Sequence, residues 1–349
     1  MSSGPPLGTL WIESLPQTNP EYVIGIDTAF FNVNEVFKGL KAIPPGLHLF
    51  HYSEGDDMRA GWWFEIHEHQ VVSIYWDCEL ERFMTKAVDM EKVANGYQFM
   101  VSYPEDIDNW TRLTRHIQMS DLETIGPKFP EPVTTATPSK EENIVLAQTL
   151  RERDPKQEFE DQSSSELGYT IVQFRDTGAR DGQSDEDVTR NALDRSWQLD
   201  KLYCSPRHVM SELQVSFIYF CVIANLCSCT QWLSLLRLVS SSENFLQKDK
   251  QSANALLELF LAQLQKIPEE YMGTTELGVV DMKQFVEVLE KLSSIFKGNE
   301  RWQAMDSTCQ SRFGIHIRNL ETSFDADNFE IYNLDDHDAD DEDAPLVVS

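Results

Sequence analysis

The apolar residues of this chain change their period part-way along, and that change limits the fold more than any other feature. In the first third they come in short runs rich in Val, Ile, Tyr, Trp and Phe, at Tyr22–Ile26, Leu47–Tyr52, Trp62–Ile66, Val71–Trp76 and Tyr97–Ser102, and the runs stop at Gly and Pro. Such residues suit a pleated, half-buried surface. The short gaps leave no room for crossover helices, so antiparallel, sandwich-like sheets are expected. From about Asp185 the apolar residues recur at three and four, as in Leu213, Phe217, Phe220, Ala224 and Cys227, which is the period of a helix. A chain that switches once in this way is an α+β protein with a β-rich first domain and an all-helical second domain, and 349 residues are enough for both.

The expected boundaries follow from composition. Residues 1–125 form the β-rich domain, with 1–20 a loose lead-in apart from Leu10-Trp11-Ile12, and with a short helix over Trp110–Met119 that Asp108 could cap. Residues 126–166 read as a flexible connection. Gly126, Pro127, Pro130, Pro132 and Pro138 break its front, and Glu141–Arg153 can form a helix within it. Residues 167–320 form the helical domain of about five helices. The run Tyr169-Thr170-Ile171-Val172-Gln173-Phe174 looks like one more strand, either returning to the first domain's sheet or edging the second domain. The helix through Phe217 and Phe220 is apolar on most sides and so central, with a break near Cys229-Thr230. Pro268 ends the helix of Ala253–Lys266, and Gly298 closes the one that starts at Met282. Residues 321–349 hold 11 acids and no Lys or Arg up to Asp343, a composition that cannot bury a core, yet they finish in the strand-former Pro345-Leu346-Val347-Val348.

Charge narrows the function. With 58 acids against 29 bases the net charge is −29, a field that repels nucleic acids and anionic membranes and favours basic protein partners. The six cysteines contain no Cys-x-x-Cys pair and three lie in or beside the apolar helical run, so free thiols in a reducing compartment are expected. The most apolar window, Val215–Cys229, is 15 residues long, short of the ~20 needed to cross a bilayer. The amino terminus lacks a basic, then apolar, secretory leader, so a soluble intracellular protein is expected.

Motifs for catalysis are missing. The chain has no Gly-x-Ser-x-Gly elbow, phosphate loop or dinucleotide fingerprint. His67-Glu68-His69 with Glu65 could mimic a metal site of a cupin-like barrel, but no third ligand stands at a persuasive spacing, and His48 and His51 fall on opposite sides of their strand. No catalytic, cofactor or metal residue is therefore assigned, and the chain is read as a non-enzyme. Trp62 and Phe64 share one side of a strand and Trp63 takes the other, where it could serve as core or as an interface anchor. Ser240-Ser241-Ser242-Glu243 reads as a helix N-cap or as a site of regulatory phosphorylation on Ser240, Ser241 or Ser242.

One ordered set of motifs goes further. Ile24-Gly25-Ile26-Asp27, Phe31-Asn32, Phe37-Lys38-Gly39, Ile43-Pro44-Pro45-Gly46-Leu47-His48, Gly61-Trp62-Trp63-Phe64, Met100-Val101-Ser102-Tyr103-Pro104, Tyr169–Phe174, Glu212-Leu213-Gln214, Gln231-Trp232 and Ile267-Pro268-Glu269-Glu270-Tyr271 together resemble the A1-cistron splicing factor family, across roughly residues 22–272 and the tail. The resemblance implies a β-rich domain, a helical domain similar to VHS domains and an acidic tail. It implies an assembly chaperone of the U5 small nuclear ribonucleoprotein, found in cytoplasm and nucleus, monomeric and without cofactors. Its partner would be the RNase-H-like domain of the largest U5 protein, bridged by the tail to an endonuclease-like domain, in competition with the spliceosomal helicase and RNA. Pro345, Leu346, Val347 and Val348 would then add a strand to the partner's sheet. A cupin-like metalloenzyme and a generic acidic adaptor for basic proteins stay open as alternatives.

Overall fold

The computed structural model describes residues 7–16, 22–54, 58–104, 106–127, 130–153, 165–176, 184–273 and 278–317. The β-rich part is built on ten strands: β1 (Gly8–Ile12), β2 (Tyr22–Ile26), β3 (Ala29–Val33), β4 (Gly39–Ile43), β5 (Gly46–Glu54), β6 (Ala60–Ile66), β7 (Val71–Asp77), β8 (Arg82–Lys86), β9 (Val101–Ser102) and β10 (Val133–Thr134). They make two five-stranded sheets, in the orders β8-β7-β1-β4-β9 and β10-β6-β5-β2-β3. The second sheet is antiparallel throughout. In the first, β1 runs parallel to β7 and β4 parallel to β9.

Side-chain alternation turns these sheets into layers. Leu10, Ile12, Ile24, Ile26, Leu40, Phe50, Trp62, Phe64, Ile74 and Phe83 point from both sheets into one shared core. The next residues along β5 and β6 point the other way. Leu49 and the half-buried Leu47 and Trp63 pack against the helices. The second sheet is thus covered on both faces, which is why six successive residues of β5 are buried.

The helices are α1 (Met90–Gly96), α2 (Ile107–Thr114), α3 (Met119–Ile125), α4 (Lys140–Arg153), α5 (Asp185–Leu193), α6 (Ser196–Leu202), α7 (Pro206–Ile223), α8 (Leu226–Ser240), α9 (Glu243–Lys248), α10 (Lys250–Lys266), α11 (Met282–Ile295) and α12 (Glu300–Phe313). Trp232 of α8 is fully buried at their centre, with the rings of Phe217, Phe220, Phe260 and Phe285 between 5.6 and 6.3 Å away. Its indole N–H donates to Gln263 Oε1 at 3.0 Å, so the one polar atom of the ring is satisfied inside the apolar cluster. Sheets and helices belong to one unit that ends at Ile317. Among the described residues no helix is long and apolar enough to cross a membrane.

Several local expectations need correction. Leu10-Trp11-Ile12, set apart from the loose lead-in but not read as a strand, lies in β1, the middle strand of its sheet. Tyr97–Phe99 forms a 3₁₀ turn, and only Val101–Ser102 of that run is strand. The break in the central helical run falls at Ala224-Asn225 rather than near Cys229. Ala224 takes a left-handed φ of 58°, and the Asn225 side chain accepts from Ser228 N–H to start α8. Tyr169–Phe174 joins no sheet. Its partners are side chains: Glu212 accepts from the Thr170 N–H, and Gln231, Gln198 and Arg195 donate to the carbonyls of Thr170, Gln173 and Phe174.

Candidate interaction surface

The motif residues of the first domain converge on one buried hub. The β2–β3 hairpin turns on Asp27-Thr28, and Asp27 adopts φ 58°, which Asp tolerates better than most residues. Its carboxylate accepts from Leu49 N–H at 3.0 Å and from the Tyr103 hydroxyl at 2.5 Å, and meets His48 Nδ1 at 2.7 Å. His48 Nε2 donates to the Pro44 carbonyl at 2.8 Å. That carbonyl can only accept, so one further proton is shared along the His48 Nδ1–Asp27 Oδ2 line. Burial pushes the Asp27 carboxyl above its usual range, against the pull of His48 and Tyr103. His51, on the other side of β5, points its Nε2 at the Asp27 carbonyl at 3.2 Å. Gly25 makes room for it, since a Cβ there would stand 1.8 Å from the His51 ring. Asp27, His48, His51 and Tyr103, all buried, thus tie three chain segments together.

A second constellation joins the sheet to the helices. Trp63 stacks on Trp110 of α2 with centroids 5.6 Å apart and meets Tyr219 of α7 edge-on at 6.3 Å. Trp110 Nε1 donates to the Leu47 carbonyl at 2.8 Å, and Arg59 donates to the Val222 carbonyl at 3.2 Å. Residues 130–137 lie within this joint. β10 pairs with β6, while the Asn225 side chain donates to the carbonyls of Thr134 and Thr137 at 2.9 and 2.8 Å. Beside it lies a cavity of about 360 Å³ lined by Trp62, Trp63, Leu122, Glu131, Val133 and Tyr219. Trp63 therefore is an anchor, but for this chain's own helices.

The helical domain repeats the device. Glu212 is buried and accepts from Thr170 N–H and Oγ1, Gln231 Nε2 and the Tyr203 hydroxyl, at 2.8 to 3.1 Å. Burial raises its pKa against those four donors. The segment from Tyr169 is held by this carboxylate. Next to it, α4 exposes Ile144, Val145 and Leu146, each half or more accessible, and Val145 and Leu146 line a groove of about 560 Å³.

The residues singled out from sequence lie as follows. Ser240 and Ser242 are buried, and their hydroxyls donate to the carbonyls of Arg237 and Leu238 at 3.1 and 2.8 Å. Ser242 precedes α9 but does not cap it with its side chain. Ser241 is partly exposed, and its Oγ accepts from Lys291 Nζ at 2.8 Å. His67, Glu68 and His69 are exposed in the β6–β7 turn, apart from His48 and His51. Among the described residues no three His, Cys, Asp or Glu side chains gather around a common point. Pro345, Leu346, Val347 and Val348 lie outside the described residues. Sequence reasoning missed Asp27, Tyr103 and Glu212 as hubs. Asp27 and Glu212 stood inside motifs next to apolar residues, a position where a carboxylate must find partners.

Both halves match known sequences. Residues 6–127 match a family model described as the AAR2 N-terminal domain, and residues 169–321 match one described as the AAR2 C-terminal repeat region. This chain belongs to the AAR2 family. Among curated relatives, the human Protein AAR2 homolog is 25% identical over 289 residues, covering 71% of this chain and 73% of its own length. The Pongo abelii homolog is 24% identical over 285 residues with the same coverages, and that of Caenorhabditis elegans 23% over 280 residues, covering 71% and 76%. The matched stretches contain the Asp27 hub, the Trp63 joint and the Glu212 hub.

Proposed function

We propose that this chain acts in pre-mRNA splicing as a non-enzymatic assembly factor of the U5 particle. It holds the RNase-H-like domain of the largest U5 protein until the helicase and RNA are due to dock. The observation that carries this reading is the match of both domains, in order, to the AAR2 family. Two physical features agree with it. The polar clusters at Asp27, Glu212 and Asn225 are consumed in bracing the body, as in a rigid platform for another protein. The net charge of −29 also disfavours competing direct contact with RNA.

The carboxy-terminal run supplies a second foothold. Leu346, Val347 and Val348 would contribute ~1.5–3 kcal/mol each on burial, against ~1–2 kcal/mol per residue of backbone ordering. The segment alone binds weakly and gains from a body already docked. A pulldown at moderate salt, read by mass spectrometry, should recover the largest U5 protein. Recovery of many basic proteins, lost together as salt rises, would instead mark a generic acidic adaptor.

A further inference from the structure

In a chain with 29 more acids than bases, one spot collects three cations, none of them ion-paired to a carboxylate among the described residues. Arg237, near the end of α8, lies over the Phe174 ring at 4.2 Å, and Arg195 lies 5.5 Å from the same ring. Arg195 is buried and its fork is committed to the carbonyls of Phe174 and Asp176 and to Gln198. Arg237 is different. Its guanidinium makes no hydrogen bond among the described residues, and its contact over the Phe174 ring holds it in place. Lys291 of α11 reaches the same place and donates to Ser241 Oγ, leaving the Ser241 hydroxyl its own proton to give. The main chain closes the group, since Arg195 N–H donates to the Ser241 carbonyl at 2.8 Å.

We infer that Arg237, Lys291 and Ser241, backed by the charge of Arg195, form a binding site for one phosphoryl group carried by a polypeptide partner. Free N–H donors on a pre-oriented guanidinium, an ammonium and a hydroxyl match the several acceptor oxygens of a phosphoryl group. Three positive charges match its double negative charge better than the single charge of a carboxylate. The net charge of −29 repels a polyphosphate strand, which favours a phosphorylated side chain over RNA. Partial burial and the neighbouring guanidiniums of Arg237 and Arg195 lower the Lys291 pKa, as expected for cations held together without an anion. Two acids oppose them: Glu287, one turn back on α11, and Asp176, whose carboxylate holds Lys201 at 3.3 Å. The inference does not depend on the splicing role.

Inorganic phosphate, a short neutral peptide bearing one phosphoserine, the same peptide with Glu, and an RNA oligonucleotide are titrated against the full chain at low salt, followed by ³¹P NMR and thermal shift. Phosphate and phosphopeptide should bind, and R237Q or K291Q should weaken both about tenfold, the scale of one lost charge-assisted contact. Without phosphate, both variants should melt above the wild type, because each removes a repelled cation. That readout separates loss of the site from loss of folding. Equal responses of wild type and variants would reduce the effect to an adventitious ion. A Glu peptide bound as tightly as the phosphopeptide, or RNA that competes through the same residues, would overturn the assignment.

Discussion

Replacing Trp63 by Ala tests whether sheet and helices hold together as one cooperative body. The ring contributes to the joint through its stack on Trp110 at 5.6 Å and its edge contact with Tyr219 at 6.3 Å. Loss of a packed Trp side chain costs about 3–5 kcal/mol. Trp63 is only half-buried, so the lower end, about 3 kcal/mol, is expected. The aromatic pairs hold about 0.5–1.5 kcal/mol of that beyond buried area, a part that W63L should forfeit and W63F should largely keep. With a urea slope of about 3 kcal/mol per molar for a body this large, the midpoint should fall by about 1 M with the slope unchanged. The assay is urea unfolding followed by far-UV circular dichroism and by tryptophan fluorescence. If Trp63 joins two parts of one unit, both signals should move together in wild type and variant. A shift worth under 1 kcal/mol, or wild-type signals that separate into two transitions, would refute the argument that this contact couples the layers.

Other consequences are equally direct. Burial lowers the His51 pKa from 6.5 to about 3, so the unfolded chain takes up a proton that the folded one refuses. Stability from this group is whole above pH 6.5 and is lost as pH falls toward 3. Between pH 6.5 and 5 it should drop by about 2 kcal/mol in wild type, and H51Q should remove that slope in chemical denaturation. Glu212→Ala strips the acceptor from four donors and should cost about 3 kcal/mol or more, with faster amide exchange concentrated at residues 169–174. Cutting the chain after Ala344 should leave its melting temperature unchanged and weaken binding to the RNase-H-like partner about tenfold in calorimetry.

Much of the architecture was legible where a run of strand-forming residues ends at Gly or Pro or where a helix is long. The strands read at Tyr22–Ile26, Trp62–Ile66 and Val71–Trp76, and the helices read over Ala253–Lys266 and from Met282, follow from residue type, period and breakers, and lie in β2, β6, β7, α10 and α11. β1 escaped because it is buried on both faces. Leu10 and Ile12 enter the shared core and Trp11 packs on Val93 and Met100, so its short run shows no alternation. Tyr169–Phe174 misled for the opposite reason. Its β-branched and aromatic residues do favour an extended chain, but Glu212, Gln231, Gln198 and Arg195, distant in sequence, took the place of a neighbouring strand. Ala224 carries no breaker signal, and the αL turn there is set by Asn225, whose side chain reaches the carbonyls of Thr134 and Thr137. The partners of Asp27 were likewise hidden, since His48 and Tyr103 lie 21 and 76 residues away.

The central claim is that this body exists to hold one spliceosomal subunit. Calorimetric titration of the purified full chain with the isolated RNase-H-like domain of the largest U5 protein addresses it directly. A saturable one-to-one heat that persists at moderate salt is predicted, with the helicase displaced from that domain as this chain is added. No heat, or binding that vanishes as ionic strength rises and does not exclude the helicase, would contradict it.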